Sequence, residues 1–313
     1  MAASRQLRAG TTDTGTALTS ASGWERYGER VRAARERLDL SVEYVAQKAL
    51  TYANMVRDIE AGTSEPDSTV IRHLDKVLGA EGVLWDAWAQ IFLSSRLQAG
   101  ATVADLLFHT YQVRHYAPLV LPDGYLTEEY ARALLQAERP MESSSFLTDR
   151  PAVREVSGLF SGAPYYCLIV DEAALTRPVA PPKVMREQLT HLRKLAMTDS
   201  VTVHVIPEGT APHPGLRGAF WTLSFSPRHN LAYTPLPHGP GHLVTDATQV
   251  KSYSDLFATL QGVSLPAANS LRILDEAIER FPDKPRPRAI TTGPADDGIS
   301  SALRPSQSTA APA

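Results

Sequence analysis

The sequence predicts a multi-domain chain: an all-α module of five short helices followed by a mixed α/β (α+β) domain. Three observations carry this. Between Trp24 and Leu97, five segments repeat apolar residues at helical spacing. Beyond Gly100-Ala101, the short apolar runs Tyr165–Val170 and Val201–Ile206 flank an amphipathic segment, Val184–Met197, as in a strand–helix–strand unit. Both ends are rich in Ala, Ser, Thr, Gly or Pro and lack periodicity, which predicts disordered tails over 1–22 and 282–313. The helical domain is thus expected over 23–98 and the α+β domain over 100–281.

The first helix starts near Trp24, because Tyr27, Val31, Ala34 and Leu38 repeat at i, i+4, i+7 and i+11. Val42, Val45, Ala46 and Ala49 form one face of a second helix with Ser41 as its N-cap. Val56 and Ile59 give a third helix a narrow stripe, with Gly62 as its C-terminal stop. Pro66-Asp67-Ser68 leads into a fourth helix carrying Val70, Leu74, Val77 and Leu78. A fifth, from about Glu81 to Leu97, carries Leu84, Trp85, Trp88, Ile91 and Phe92. In the second domain a strand-like or irregular piece is expected around Tyr116–Leu121, then a Pro122-Asp123-Gly124 turn and a helix from Thr127. Residues 140–163 show little pattern. A Gly/Pro-rich loop covers Pro207–Gly218, and strands follow at Phe220–Phe225 and Leu231–Thr234. Helices are expected at Val250–Leu260 and Pro266–Arg280.

With 313 residues, 43% of them hydrophobic, the chain has room for two domains and a real core. No apolar run is long enough to span a bilayer, and no apolar stretch follows Arg5 and Arg8 as a secretory signal requires. The single cysteine, Cys167, excludes an internal disulfide framework and fits a reducing compartment, so a cytoplasmic protein without membrane contact is expected. A formal net charge of −3 argues against broad polyanion binding by the whole molecule.

The stretch LSVEYVAQKALTYANMVRDIEAGTSEP, Leu40 to Pro66, organises the chain. Two short helices joined by a tight turn make either an ordinary helical hairpin or the arrangement that lays a helix in the DNA major groove. Periodicity alone leaves the two level. The longer stretch YGERVRAARERLDLSVEYVAQKALTYANMVRDIEAGTSEPD resembles, without a gap, the Cro/repressor-like (Xre) helix-turn-helix family. Tyr27-Gly28, Val31-Arg32, Arg35-Glu36, Leu40-Ser41, Val45-Ala46, Val56, Ile59-Glu60, Gly62 and Pro66 carry the likeness. Further on, LTEEYARALL, DEAALTRPV, VMREQLTHL, TVHVIP, HPGLRGAFWTLSF and YSDLF followed by LQGVSL are similar, in order, to the carboxy-terminal domain of actinobacterial WhiJ-like (antitoxin-like) regulators. That resemblance brings no established chemistry. It implies a transcriptional regulator with an operator in double-stranded DNA, a homodimeric state and, for some members, a small partner protein encoded nearby.

In the register of that resemblance, Tyr52 to Glu60 forms the recognition helix, with Ala53, Asn54, Arg57 and Asp58 facing outward and Ser41 opening the preceding helix. Asn54 can pair with adenine and Asp58 can accept from a cytosine amine, whereas Tyr52 and Arg57 suit phosphate. The competing reading is a solvated helix face. Family members usually carry Gln or Ser near the positions of Val42 and Ala53, and basic residues at those of Asp58, Thr63, Ser64 and Glu65. From Trp24 to Leu97 ten Lys and Arg face twelve Asp and Glu, a net −2. Weak binding by the monomer and a shallow salt dependence follow, because phosphate neutralisation supplies non-specific affinity.

Asp171-Glu172 follows the Tyr165–Val170 strand, where an active-site or ligand-binding carboxylate pair stands in open α/β sheets. A plainer reading is that Asp171 caps a short helix. In the resemblance the Glu172 position is a regular feature, which makes a ligand or partner role the second reading. Arg217, between two glycines in the 207–220 loop, joins them as a candidate. His238 and His242 are spaced like zinc ligands on a helix, but Gly239-Pro240-Gly241 forbids one, so no metal site is expected. No nucleophile elbow, Gly-rich phosphate loop or dinucleotide fingerprint is present, so neither an enzyme nor a cofactor is expected. The functional expectation is a DNA-binding transcription regulator whose carboxy-terminal domain senses a ligand or binds a small partner. The other expectation is an antitoxin-like interaction module with weak or lost DNA binding.

Overall fold

The computed structural model describes residues 15–138, 164–236 and 241–282. The expected tails at 1–14 and 283–313, the segment 140–163 and His238 lie outside the described residues. A helical region comes first, and a six-stranded mixed sheet with helices follows.

Five helices build the first region: α1 (Gly15–Arg37), α2 (Val42–Lys48), α3 (Ala53–Ala61), α4 (Ser68–Val77) and α5 (Val83–Gln98). Their apolar stripes converge on Tyr27, Val31, Val45, Val56, Ile59, Ile71, Leu74, Trp88 and Phe92, all buried. Residues 15–22, expected to be tail, instead extend α1. Nucleation is the costly step of helix formation, so a helix already held by packing at Tyr27 and Val31 propagates cheaply through Thr and Ser. A short helix, α6 (Val103–Leu107), then starts on a capping box in which Thr102 and Asp105 satisfy each other.

The sheet contains β1 (Gln112–Ala117), β2 (Tyr165–Asp171), β3 (Val201–Ile206), β4 (Phe220–Ser224), β5 (Asn230–Thr234) and β6 (His242–Val244), in spatial order β3-β2-β1-β4-β5-β6. β1, β2 and β3 run parallel, and β4, β5 and β6 continue antiparallel from β1. β1 lies four residues earlier than expected. Pro118 has no N–H for a ladder and ends it at Ala117, and Arg114 and His115 mask its apolar alternation. The other α-helices among the described residues are α7 (Glu128–Glu138), α8 (Glu172–Thr176), α9 (Pro182–Leu195), α10 (Ala247–Val263) and α11 (Ala267–Glu279).

Period-two alternation splits the strands between two layers. Val113, Tyr166, Leu168, Val170, Val203, Val205 and Leu223 share a core with Met185, Leu189 and Leu192 of α9 and Leu274 of α11. Tyr116, Cys167, Ile169, Ile206 and Phe220 face the other way, onto Phe257 and Leu260 of α10. The outer edge of β3 is closed by the α10–α11 connection, where Leu265 N donates to Val205 O and Val205 N donates to Ser270 Oγ.

The core does not stop at Gly100. Trp85 stands edge-on to Tyr111, ring centroids 4.8 Å apart, and Phe92 reaches His109 at 4.5 Å and Phe225 at 6.2 Å. At the margin of this seam Asp86 accepts from Ser226 Oγ at 2.5 Å in the β4–β5 turn. Helix α5 is therefore shared by the helical bundle and the sheet.

Candidate functional site

The α2–α3 pair is built as a rigid unit. Ser41 Oγ accepts from Tyr44 N at 3.1 Å and caps α2. The chain turns through Leu50 at φ +57°, and Gly62, at φ +71°, ends α3. Gly28 of α1 lies against the last turn of α3: a Cβ there would stand 2.4 Å from the Ile59 carbonyl oxygen. The buried Glu60 carboxylate accepts from Arg35 Nε at 2.6 Å and Nη2 at 2.9 Å, and Arg35 also donates to Leu40 O at 3.0 Å. One bidentate pair thus ties α3, α1 and the chain entering α2.

Of the residues expected on the outer face, Tyr52, Asn54, Arg57 and Asp58 are exposed, Tyr52 at 82%. Ala53 is not free: it is half-buried against the helical core, because at the first position of α3 its methyl points toward the neighbouring helices. Arg57 is also engaged, donating to Asn54 Oδ1 at 3.0 Å and to Glu43 Oε1 of α2 at 2.5 Å.

The second group lies at the carboxyl ends of β1 and β2. The plain cap reading of Asp171 does not hold: it occupies the N-cap position of α8, but its side chain makes no cap hydrogen bond. The carboxylate turns to Tyr116, whose hydroxyl donates to its oxygens at 3.2 and 3.3 Å, and His213 Nε2 is 3.7 Å away. Burial pushes the Asp171 carboxyl above the ordinary carboxylate value, against the opposing pull of His213 and Tyr116. Burial, reinforced by the Asp171 charge, raises the Tyr116 hydroxyl as well. The His213 side chain is 7% exposed, and its Nδ1 has no hydrogen-bond partner. Gly215 rests on the Tyr116 ring so closely that a Cβ would come within 2.4 Å of Cζ.

Glu172 faces elsewhere. It accepts from Glu208 N at 2.9 Å and pairs with Arg280 at 3.3 Å, pinning the start of the 207–219 loop to the end of α11. Arg217 is exposed in the Pro214–Arg217 turn and makes no hydrogen bond or ion pair with the described residues. The structure therefore brings Asp171 together with Tyr116 and His213, holds Glu172 as a tether, and leaves Arg217 outside. Local spacing could not have found Tyr116, since it lies 55 residues before its carboxylate partner. His213 at least sat inside a loop marked by its length.

No three or more metal-ligating side chains group together among the described residues. Cys167 is buried beneath α10, its thiol pushed up to about 11 by burial. No helix of the described residues is long and apolar enough to cross a membrane.

Residues 109–276, more than half of the chain, match the family described as a domain of unknown function, DUF5753. The chain belongs to that family. No curated protein and no solved structure matches it. The DUF5753 match begins at His109, the residue packed on Phe92, and ends within α11, so it contains the whole sheet and the Tyr116–Asp171–His213 group. The α2–α3 pair lies before DUF5753 in the chain, and α5 is the helix that joins the two.

Proposed function

We propose that the protein is a DNA-binding transcription regulator. In this reading α2 and α3 act as a helix-turn-helix of the Cro/repressor (Xre) type, and the DUF5753 region sets affinity by taking a ligand or a small partner protein. The observation that carries the reading is the exposed row Tyr52, Asn54, Arg57 and Asp58 on a helix locked to α1 by Gly28 and by the Arg35–Glu60 pair. A recognition helix needs such rigidity, because base readout depends on placing side chains within hydrogen-bond geometry of base edges. Asn54 would read adenine, Asp58 a cytosine amine, and Arg57 with Tyr52 the phosphates. A homodimer would place two such helices in major grooves about 34 Å apart.

Fluorescence anisotropy with the duplex upstream of the protein's own gene, at several salt concentrations, tests this. The expected result is preferential binding over a scrambled duplex, abolished by Asn54→Ala combined with Arg57→Ala. Equal affinity for both duplexes, or a variant that binds as the wild type does, would overturn it.

The Glu43–Arg57 pair favours a second reading, in which the helical region serves protein interaction and DNA binding is weak or lost, as in an antitoxin-like module. Here DNA affinity would stay weak alone, and the product of a neighbouring small gene would copurify with the chain.

A further inference from the structure

Between α1 and α5 lies a cleft of about 320 Å³, within the range that takes small ligands. Helix α1 contributes Trp24, Arg26 and Arg30 to it, and α5 contributes Gln90, Ser94 and Gln98. The charge on its walls decides what it suits. Four arginines elsewhere in the helical region are matched, Arg32 and Arg35 to Glu60, Arg57 to Glu43 and Arg96 to Glu65, while Arg37 is exposed and Arg72 lies over the Trp85 ring. Arg26 and Arg30, one helical turn apart on the rim, have no ion pair among the described residues. The described lining of the cleft contains no Asp or Glu, in a module whose net charge is −2. Asp86, the one acid of α5, lies outside the lining and is engaged by Ser226 and Arg228 in the β4–β5 turn, and the exposed Glu25 and Glu29 of α1 are not part of the lining either. The opposite wall offers neutral amide and hydroxyl groups, and Trp24, set edge-on to Tyr27 at 5.8 Å, supplies an aromatic surface.

We propose that this cleft binds a small aromatic anion, its ring against Trp24 and its carboxylate or phosphate on Arg26 and Arg30. Guanidinium forks pair bidentately with such heads, and a ring gains further from stacking on an indole. The location gives binding a consequence. Helix α1 carries α3 through Gly28 and Arg35, and α5 carries the sheet through Trp85, Asp86 and Phe92. A ligand between them sits at the joint of the two halves. The site stands apart from the DNA reading, and only the effect on DNA affinity rests on it.

Titration calorimetry on the full chain with salicylate and with phenyl phosphate tests the site directly, with salicylamide as the neutral counterpart. Saturable binding of at least one anion is expected, with salicylamide weaker than salicylate. Arg26→Gln with Arg30→Gln should cost about tenfold or more in affinity. Arg26→Lys with Arg30→Lys, which keeps the charge but loses the forks, should lose less than the Gln pair, and Arg37→Gln, which removes an exposed arginine of α1 outside the cleft, should retain most of the affinity. No saturable binding of either anion, equal binding of salicylamide, or equal losses in the Gln, Lys and Arg37 variants would overturn the proposal. Repeating the DNA titration with the anion present reads the coupling separately, so a failure of DNA binding leaves the calorimetric result standing.

Discussion

Arg57 of α3 is held by Glu43 of α2, Nη2 to Oε1 at 2.5 Å, and the same guanidinium reaches Asn54 Oδ1 at 3.0 Å. Both side chains of the ion pair are more than half exposed, so the pair itself adds little stability. Its effect is electrostatic: it neutralises the one cation on the outward face of α3, and the same guanidinium occupies the Asn54 amide oxygen. Glu43→Gln should leave the melting temperature within a degree or two while strengthening DNA binding about threefold to tenfold. The slope of log affinity against log salt should steepen by about one. Unchanged affinity and slope in the variant would remove Arg57 from the interface.

Two glycines of α1 should respond oppositely to the same substitution. In a helix interior, Gly→Ala ordinarily gains about 0.5–1 kcal/mol. At Gly23 a new Cβ meets only Ile91 Cγ2 at 3.5 Å, an ordinary contact, so Gly23→Ala should stabilise by about that amount. At Gly28 the new methyl would lie 2.4 Å from Ile59 O and 2.6 Å from Glu60 O, and backbone cannot yield as a side chain does. Gly28→Ala should cost about 1–3 kcal/mol, by the overpacking rule, and loosen α3. Urea unfolding of the two variants side by side decides it, and equal effects would mean that α1 and α3 are not in backbone contact.

Leu50 adopts φ +57° with 79% of its surface exposed. A left-handed conformation costs a non-glycine residue about 1–2 kcal/mol, and an exposed side chain returns little packing. Leu50→Gly should raise stability by about 0.5–1 kcal/mol after the extra chain entropy of glycine is counted. Thermal unfolding gives the sign, and a loss of stability would show that Leu50 packs in the turn.

Helices α2 to α5 were legible because each buries one stripe, and a stripe has a period. The start of α1 was not, because Thr, Ser and Gly there carry no stripe and the helix is extended by its own cooperativity. Strand β1 was misplaced because Arg114 and His115 interrupt its alternation, one lying over Phe257 and the other buried among aromatics. At the strand ends the position of Asp171 was legible but its partner was not. A cap is a local relation that spacing can suggest, whereas Tyr116 and His213 reach the carboxylate only through the sheet and the 207–219 loop. Arg57 shows the same limit on a smaller scale, since its partner Glu43 lies 14 residues away across a turn.

His115 makes the fold sensitive to acid. It is 5% exposed, with Nδ1 2.9 Å from Tyr125 Oη and its ring among Tyr125, Tyr166 and Trp221. Burial pushes its imidazole down to about 3. The folded chain thus keeps the ring neutral over a range in which the unfolded chain, at the ordinary 6.5, takes up a proton. The unfolded state binds more protons, so the stability from this group is fully present above about pH 6.5 and is lost as pH falls toward 3. The whole loss is on the order of 5 kcal/mol, and about 2 kcal/mol of it falls between pH 6.5 and 5, above the range of ordinary carboxylates. His115→Phe fills the same aromatic niche without a titrating nitrogen. It should cost stability at pH 7, where the contact with Tyr125 is lost, yet lose about 2 kcal/mol less than the wild type on going from pH 6.5 to 5. Parallel pH profiles for the two proteins would show that His115 is not held neutral in the fold.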